Sequence, residues 1–128
     1  MNSIPPGYFG GNIDNRHVAA GTSMYYPVSV SGALFSAGDA HATQGDSELN
    51  GTAIETSLVG TFQFVLHKKA ALTGTILDKV DYPLLETPDS WIVHGFTFRN
   101  YLAELGPEAQ TKIFKMSSLD PALKNCST

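Results

Sequence analysis

Alternation of hydrophobic and polar positions is the main pattern in the middle of the chain. Phe62, Phe64 and Leu66 alternate with Thr61, Gln63 and His67, which is the period of a half-buried β-strand. Other short runs rich in β-branched and aromatic residues are bounded by Gly, Pro, Asp or Ser, and these runs predict further strands. The predicted strands are residues 24–30, 33–38, 60–67, 82–86 and 90–96, and the aromatic residues expected in the core are Phe62, Phe64 and Trp91.

Residues typical of turns and of helices show where the predicted strands end and where helices follow. Ser31 and Gly32 separate the first two predicted strands at the spacing of a tight hairpin. Pro27 has no N–H to donate, which places the first strand at a sheet edge or a bulge. Apolar positions three and four apart predict a short amphipathic helix over residues 98–105, and Asp-Pro at 120–121 predicts the start of a second helix.

Composition limits the class of protein. With 42% hydrophobic and 16% charged residues, the 128-residue chain is expected to form a single domain, residues 1–128. A net charge of −4 with eight Lys and Arg argues against nucleic acid and anionic membrane partners. Cys126 is the only cysteine, and no apolar run reaches the length of a membrane span, so we expect a cytoplasmic protein. The predicted fold is mainly β, with distorted sandwich-like sheet packing and short helices at the C-terminal end.

Residues 38–55, GDAHATQGDSELNGTAIE, carry the candidate chemistry. This run has two Asp, two Glu, one His and one Gln, but no Lys or Arg. Acidic side chains without a basic partner repel one another, so the run is either a solvated loop or a cation site. Turn-forming roles for Asp39 and Asp46 are the structural alternative, because Asp, Gly, Ser and Asn are the residues of which turns are made.

Spacing within the run favours convergence of side chains. Asp39 and His41 share a face if the backbone is extended, and Asp46 and Glu48 repeat that relation. Carboxylate and imidazole ligands suit zinc or manganese better than a thiolate-selecting metal. Asp14 and His17 form a second cluster of the same kind upstream. Gln44 and Glu55 are placed to orient ligands or substrate. His67 and His94 lie in strand-like contexts and are expected to be hydrogen-bonded or surface residues.

Residues 10–55 resemble the central signature of the acetamidase/formamidase family. The resemblance rests on a GGN-x-D segment, a run close to YLPV-x-V-x-GALFS-x-GD-x-H, and a QGDGE-x-x-x-x-AIE pattern, all in the same order and spacing. Ser47 replaces the glycine of QGDGE, which adds strain if that position has positive φ. Family members are expected to be more than twice as long, so the chain corresponds to a middle piece of the family's fold.

The resemblance implies an amidohydrolase that converts short linear amides such as formamide and acetamide to a carboxylate and ammonia. It also implies a largely β fold and a divalent metal, for which zinc is the expected ion, and we expect a homo-oligomer. The expected roles, carried onto this sequence, are metal ligation by Asp14, Asp39, His41 and Asp46, proton transfer by Glu48 and Glu55, and substrate binding by Gln44 and His17.

A second function class stays open from the sequence. The chain could be a non-catalytic β-rich remnant of the family, or a module that binds a metal or ligand without turnover. Ser47 and the length favour this interpretation, whereas retention of every acid and the His in residues 38–55 favours the hydrolase. Metal content and ammonia release together discriminate the two.

Overall fold

The computed structural model describes residues 6–95, and the elements within this range are short and mostly β. The prediction of a mainly β fold is confirmed. The predicted helices at 98–105 and 120–121 lie outside the described residues. The described elements, in chain order, are strand β1 (Ser23–Tyr25), β2 (His41–Thr43), a 3-10 turn (Asp46–Glu48), β3 (Ile54–Glu55), helix α1 (Lys69–Leu72), β4 (Leu84–Glu86) and β5 (Trp91–Val93).

The larger sheet is antiparallel and has the order β1-β4-β5. Its register places Met24 opposite Leu85, and Leu85 opposite Ile92. Strand β4 is central, so its backbone pairs along both edges, and it carries Leu84 and Leu85, the buried hydrophobic residues of the described range. Strand β1 lies at the edge, as Pro27 predicted, and ends at Tyr25 two residues before the proline.

The smaller sheet pairs β2 with β3 and positions the candidate chemistry. His41 lies opposite Glu55, and the register shifts irregularly between His41 and Thr43. The ten residues 44–53 connect the two strands and include the 3-10 turn. Because directly opposed residues of an antiparallel pair project on the same face, this register brings the side chains of His41 and Glu55 together.

Two predicted strands have no partner strand within residues 6–95. In residues 33–38, Ala33 and Leu34 take positive φ after the turn at Gly32, which leaves the chain out of line for pairing. Residues 60–67 run without a turn or bend but also pair with no described strand. The predictions over 24–30, 82–86 and 90–96 are confirmed only in their parts that form β1, β4 and β5.

The predicted aromatic core is wrong. Phe62 and Phe64 are 58% and 69% exposed, and Trp91 is 48% exposed. Within residues 6–95, the rings of Phe62 and Phe64 contact the ring of Phe35, but no paired strand covers them. Trp91 instead packs at the sheet surface beside Tyr25, with ring centroids 5.8 Å apart.

Residues 12–17, the linking segment, contact both sheets. The Asn15 side-chain amide lies 2.9 Å from His94 Nε2, and His94 Nδ1 lies 2.7 Å from the carbonyl oxygen of Pro83. His94 therefore donates from Nδ1 to Pro83 and accepts at Nε2 from Asn15. At its other end, the segment accepts a hydrogen bond from Ser47 N at the Asp14 carbonyl oxygen, 3.0 Å away.

Strands of the two sheets do not contact one another within residues 6–95. The linking segment bonds to a residue beside each sheet, His94 after β5 and Ser47 between β2 and β3. No helix of the described range is long and apolar enough to cross a membrane.

Candidate metal centre

Three side chains of the types that ligate metal ions converge at the start of the smaller sheet. One donor atom each of Asp39, His41 and Glu55 lies within 4.8 Å of the others. The β2–β3 register supplies the pairing of His41 with Glu55. Asp39 reaches the same place through a left-handed backbone conformation, with φ of 61°, and not through the extended backbone that its spacing from His41 suggested.

His41 is the buried member of this group, with 7% of its side chain exposed. Its Nδ1 lies 3.0 Å from the carbonyl oxygen of Asp39, which fixes Nδ1 as a proton donor. Its Nε2 lies 3.1 Å from Glu48 Oε1 and 3.9 Å from Asp39 Oδ1. An imidazole lone pair and a carboxylate oxygen repel each other at such a distance, so Nε2 needs a proton or a metal ion on this side.

The electrostatics of His41 agree with that geometry. Burial on its own lowers the pKa of His41, but the charges of Asp39 and Glu48 and the hydrogen bonds to both residues outweigh burial, and the pKa is raised. The same two carboxylates that favour a proton on His41 would also interact with a divalent cation.

Asp14 adds a further acid to the cluster. Burial raises the pKa of Asp14 to about 7, with further increases from the charge and hydrogen bond of Glu48 and from the charge of Asp39, while His41 lowers it. A carboxyl group that titrates near neutrality is typical of an acidic cluster that binds a cation or exchanges a proton during catalysis. Asp14, Asp39, His41, Glu48 and Glu55 thus form one site, the acidic cluster.

Asp46 and His17 lie in a different, exposed cluster with Arg16. Arg16 Nε donates to Asp46 Oδ1 over 3.1 Å, and His17 Nε2 is 3.8 Å from the same oxygen. Asp46 is 61% exposed, whereas the Glu48 side chain is 11% exposed. The predicted equivalence of Asp46-x-Glu48 with Asp39-x-His41 fails because Asp46 and Glu48 lie on a 3-10 turn, where residues two apart do not share a face.

Gln44 lies between these clusters, on the wall of an open depression of about 500 Å³ whose lining also includes Asp46 and Glu48. The side-chain nitrogen of Gln44 is buried and has no hydrogen-bond partner. An unpaired buried donor is costly, so Gln44 lowers the stability of the folded chain at this position.

Backbone strain is concentrated around the site. Ser47 has φ of 63° and ψ of 9°, and Asp14, Asp39, Glu48 and Ala53 also have positive φ. Left-handed conformations cost a non-glycine residue roughly 1–2 kcal/mol each. Ser47 therefore has the positive φ at which strain was predicted, and serine occupies a position that favours glycine.

Ser47→Gly is expected to raise the free energy of unfolding by about 0.5–1 kcal/mol, because relief of the left-handed strain exceeds the added entropy of the unfolded chain. Urea unfolding followed by circular dichroism measures the change. Ser36→Gly, at an exposed serine without positive φ, is the matched control and is expected to lose stability. Equal effects of the two substitutions would contradict the strain assigned to Ser47.

The metal-free chain is expected to lose stability as pH rises from about 4 towards 7. Asp14 has a folded pKa of about 7 against an ordinary value of 3.8, so the folded state binds its proton more tightly, and this contribution is lost as pH rises through that window. The raised pKa of His41 acts in the same direction above pH 6.5. Melting temperatures measured with a chelator between pH 4.5 and 8 test this.

Asp14→Asn is the control for this pH dependence, since it removes the titrating group at almost constant volume. Its melting temperature is expected to change less between pH 4.5 and 7 than that of the unsubstituted chain. Parallel pH profiles for the two chains would contradict the assignment of the shift to Asp14.

Two long-range side-chain contacts near the cluster do not follow from local spacing. Asn15 and His94 are 79 positions apart, and Arg16 and Asp46 are 30 positions apart. Arg16 alone gave a signal, since a basic residue near the acidic run is expected to act as its counter-charge, and its contact with Asp46 agrees with that expectation. The pairing of Asn15 with His94 follows only from the folded chain.

Comparison with known proteins agrees with the resemblance in residues 10–55. The sequence profile of the Acetamidase/Formamidase family matches residues 1–121. An acetamidase from Mycolicibacterium smegmatis is 46% identical over 48 residues, which are 38% of this chain and 12% of the relative. A formamidase from Methylophilus methylotrophus is 40% identical over 47 residues, which are 37% of this chain and 12% of the relative.

The two alignments thus cover about an eighth of each relative, whereas the family profile covers nearly the whole of this chain. The profile match carries the assignment, and the signature motifs that converge in the acidic cluster are consistent with it. This chain belongs to the acetamidase/formamidase family.

Proposed function

We propose that this chain carries the metal-binding core of an amidohydrolase that cleaves short linear amides to a carboxylate and ammonia. The observation that carries the proposal is the convergence of Asp39, His41 and Glu55 within 4.8 Å. Two carboxylates and one imidazole form a donor set that zinc and similar divalent ions accept, with a position left for water or substrate. The names of the relatives, acetamidase and formamidase, supply the substrate class.

Amide hydrolysis makes three demands on a site. The carbonyl carbon is a poor electrophile, ammonia is a poor leaving group, and water is a poor nucleophile at neutral pH. A divalent ion, when bound, polarises the carbonyl group and lowers the pKa of water to about 7. The remaining demand, transfer of a proton to the leaving nitrogen, falls to the side chains of the chain.

Glu48 is our candidate for proton transfer. Its carboxylate is nearly buried and lies 3.1 Å from His41 Nε2, next to the three donors but not among them. A carboxylate in that position accepts a proton from the attacking water and returns it to nitrogen, a role worth about 10²–10⁴-fold in rate. Asp14, with a pKa of about 7, can hold or release a proton beside Glu48 at neutral pH.

Glu55 and Asp46 take different roles in this proposal from those that the sequence suggested. The donor atom of Glu55 lies with those of Asp39 and His41, which supports ligation. Asp46 is engaged by Arg16 and His17, which supports a part in orienting the loop or the entrance to the depression. Gln44 lines the depression together with Glu48, which supports a part in substrate binding.

A metal-binding module without turnover is the second candidate function. It is favoured by exposure: Asp39 is 57% exposed, and Glu55 is exposed as well. Water has access to both carboxylates, and a solvated site gives weaker electrostatic stabilisation of a transition state than an enclosed one. The chain on its own is therefore expected to bind the ion and to hydrolyse amides slowly or not at all.

Metal content and ammonia release, measured on the same preparation, separate the candidates. The chain is purified without a nickel column, loaded with zinc or manganese, and assayed with formamide and acetamide. Metal uptake with metal-dependent ammonia release supports the hydrolase, and uptake without release supports the module. Failure to take up either metal would contradict both.

Glu48→Gln and Asp46→Asn form a matched pair for this assay, since both remove one charge from the same turn. This comparison applies where the metal-loaded chain shows measurable ammonia release, and loss of that release in Glu48→Gln alone supports proton transfer by Glu48. Equal loss in both variants would contradict it.

A further inference from the structure

A series of hydrogen bonds connects the larger sheet to the linking segment, which contains Asp14 of the acidic cluster. His94 Nδ1 lies 2.7 Å from the carbonyl oxygen of Pro83, and His94 Nε2 lies 2.9 Å from the side-chain amide of Asn15. The oxygen of the same amide accepts a hydrogen bond from His17 N over 2.9 Å. The series therefore runs from the residue before β4 to the residue after Asp14.

The direction of each bond in this series is fixed by the groups at its two ends. A carbonyl oxygen only accepts, so the bond to Pro83 requires a proton on His94 Nδ1. A backbone N–H only donates, so His17 requires the oxygen of the Asn15 amide, and the NH₂ group of that amide then faces His94. An NH₂ group also only donates, so His94 Nε2 carries a lone pair. His94 is therefore a neutral imidazole with its proton on Nδ1, and any other protonation state breaks a bond of the series.

Asp14 has a backbone conformation that needs support from its neighbours. Its φ is 46°, in the left-handed region that is unfavourable for a residue other than glycine. Strained conformations of this kind persist only where surrounding contacts hold them. The carbonyl oxygen of Asp14 accepts from Ser47 N over 3.0 Å, and the carbonyl oxygen of Asn15 accepts from Val18 N over 3.1 Å. The Asn15 side chain adds the bond to His94, so the residue after Asp14 is held through both its backbone and its side chain.

The conformation of Asp14 affects the acidic cluster through the turn that carries Glu48. The side chains of Asp14 and Glu48 are hydrogen-bonded to each other, and Glu48 Oε1 lies 3.1 Å from His41 Nε2. Ser47, which donates its N–H to the Asp14 carbonyl oxygen, precedes Glu48 in the same turn. A backbone rotation at Asp14 would therefore disturb contacts with this turn at two points, one through the carboxyl group and one through the carbonyl group.

We propose that Asn15 and His94 are positioning residues that hold Asp14 in its left-handed conformation beside Glu48, and that His94 does this only as the tautomer protonated at Nδ1. Neither residue belongs to the three donors that converge at the metal centre, so their loss is expected to leave metal affinity unchanged. The part of Asp14 in catalysis rests on the proposed function. Its position is a property of the metal-free chain and is tested there, without metal or substrate.

NMR of the isotope-labelled, metal-free chain tests the tautomer, because the signal of a histidine ring nitrogen depends on whether that nitrogen carries a proton. At neutral pH, His94 is expected to be protonated at Nδ1 and unprotonated at Nε2. His67, an exposed histidine outside the series, is the comparison ring. The opposite tautomer or an imidazolium at His94 would contradict the proposal. This measurement uses the unsubstituted chain, so it decides the proposal even where a variant fails to fold.

A matched pair of substitutions separates the two bonds of His94. In His94→Gln, the side-chain oxygen reaches the position of Nε2 and accepts from Asn15. In His94→Asn, the shorter amide reaches the position of Nδ1 and donates to Pro83, but it does not extend to Asn15. His94→Asn is therefore expected to release Asp14 from its strained conformation, whereas His94→Gln is expected to retain that conformation.

Amide hydrogen exchange of Ser47, measured by NMR, reports the release of Asp14, because Ser47 N–H donates to the Asp14 carbonyl oxygen. The exchange rate is expected to rise about tenfold in His94→Asn and to stay within about threefold in His94→Gln, because local opening exposes an amide in proportion to the stability that is lost. Thr87 N–H, which donates to the Ser90 carbonyl oxygen between β4 and β5, is the control amide and is expected to keep its rate in both variants.

His67→Asn is the control substitution and is expected to leave the exchange rate of Ser47 unchanged, and circular dichroism verifies that each variant keeps its fold. Equal exchange rates of Ser47 in the two His94 variants would overturn the proposal. Equal acceleration at Ser47 and Thr87 would also overturn it, because that result indicates a general loss of stability. A chain that takes up no zinc would contradict the proposed function, but it would leave these measurements and their interpretation intact.

Discussion

His41→Ala is expected to weaken binding of zinc or manganese by more than about 100-fold, and Asp39→Ala is expected to act in the same direction. His41 is the buried donor of the acidic cluster, and its Nε2 lies next to both Glu48 and Asp39. Its loss removes the one nitrogen donor and leaves carboxylates that repel one another. Loss of an outer residue that only orients a ligand costs about 10–100-fold, and loss of the ligand itself costs more.

Isothermal titration with each metal measures this effect, and the chain supplies its own controls. His67→Ala is the cleaner control, because His67 is exposed and its ring contacts only Tyr25, 6.1 Å away. His94→Ala breaks the bonds to Asn15 and Pro83 and is expected to lower thermal stability while it retains metal affinity. Equal affinities in the His41, His67 and His94 variants would contradict the site.

Leu85→Ala is expected to lower the free energy of unfolding by about 2–5 kcal/mol, a large part of the roughly 5–15 kcal/mol available to an ordinary domain. Leu85 is fully buried on the central strand of the larger sheet, between Met24 and Ile92. With Leu84 as the other buried hydrophobic residue of the described range, few side chains can relax to fill the cavity.

Urea unfolding monitored by circular dichroism gives the change in unfolding free energy. Val93→Ala, on the neighbouring strand of the same sheet, removes an apolar side chain that is 80% exposed and is expected to change stability by about 0.5 kcal/mol or less. A loss below about 1 kcal/mol for Leu85→Ala would show that the core lies elsewhere in the chain.

The sequence predicted the chemistry of the acidic cluster better than its geometry. Carboxylates and a histidine without Lys or Arg indicated a cation site, and Asp39 and His41 do lie together. Glu55 could not be joined to them from spacing, because that contact depends on the register of β2 against β3 across ten connecting residues. Asp46, in contrast, was expected among the ligands but lies apart from them. It lies on a 3-10 turn, and its carboxylate accepts a hydrogen bond from Arg16.

The strand predictions succeeded where a partner strand exists. Residues 84–86 and 91–93 alternate or run apolar and also pair with each other. Residues 60–67 show the clearest alternation in the chain, yet they pair with no described strand. Alternation encodes side chains on two faces of extended backbone, but a paired strand also needs a second strand within hydrogen-bonding distance, and sequence spacing does not specify one.

X-ray absorption fine structure of the zinc-loaded chain identifies the atoms bound to the ion. A centre formed by Asp39, His41 and Glu55 is expected to give nitrogen and oxygen ligands at about 2.0–2.2 Å, with the multiple scattering of one imidazole that disappears in His41→Ala. A sulfur ligand at about 2.3 Å, which would indicate Cys126, or a spectrum without imidazole would contradict a centre formed by Asp39, His41 and Glu55.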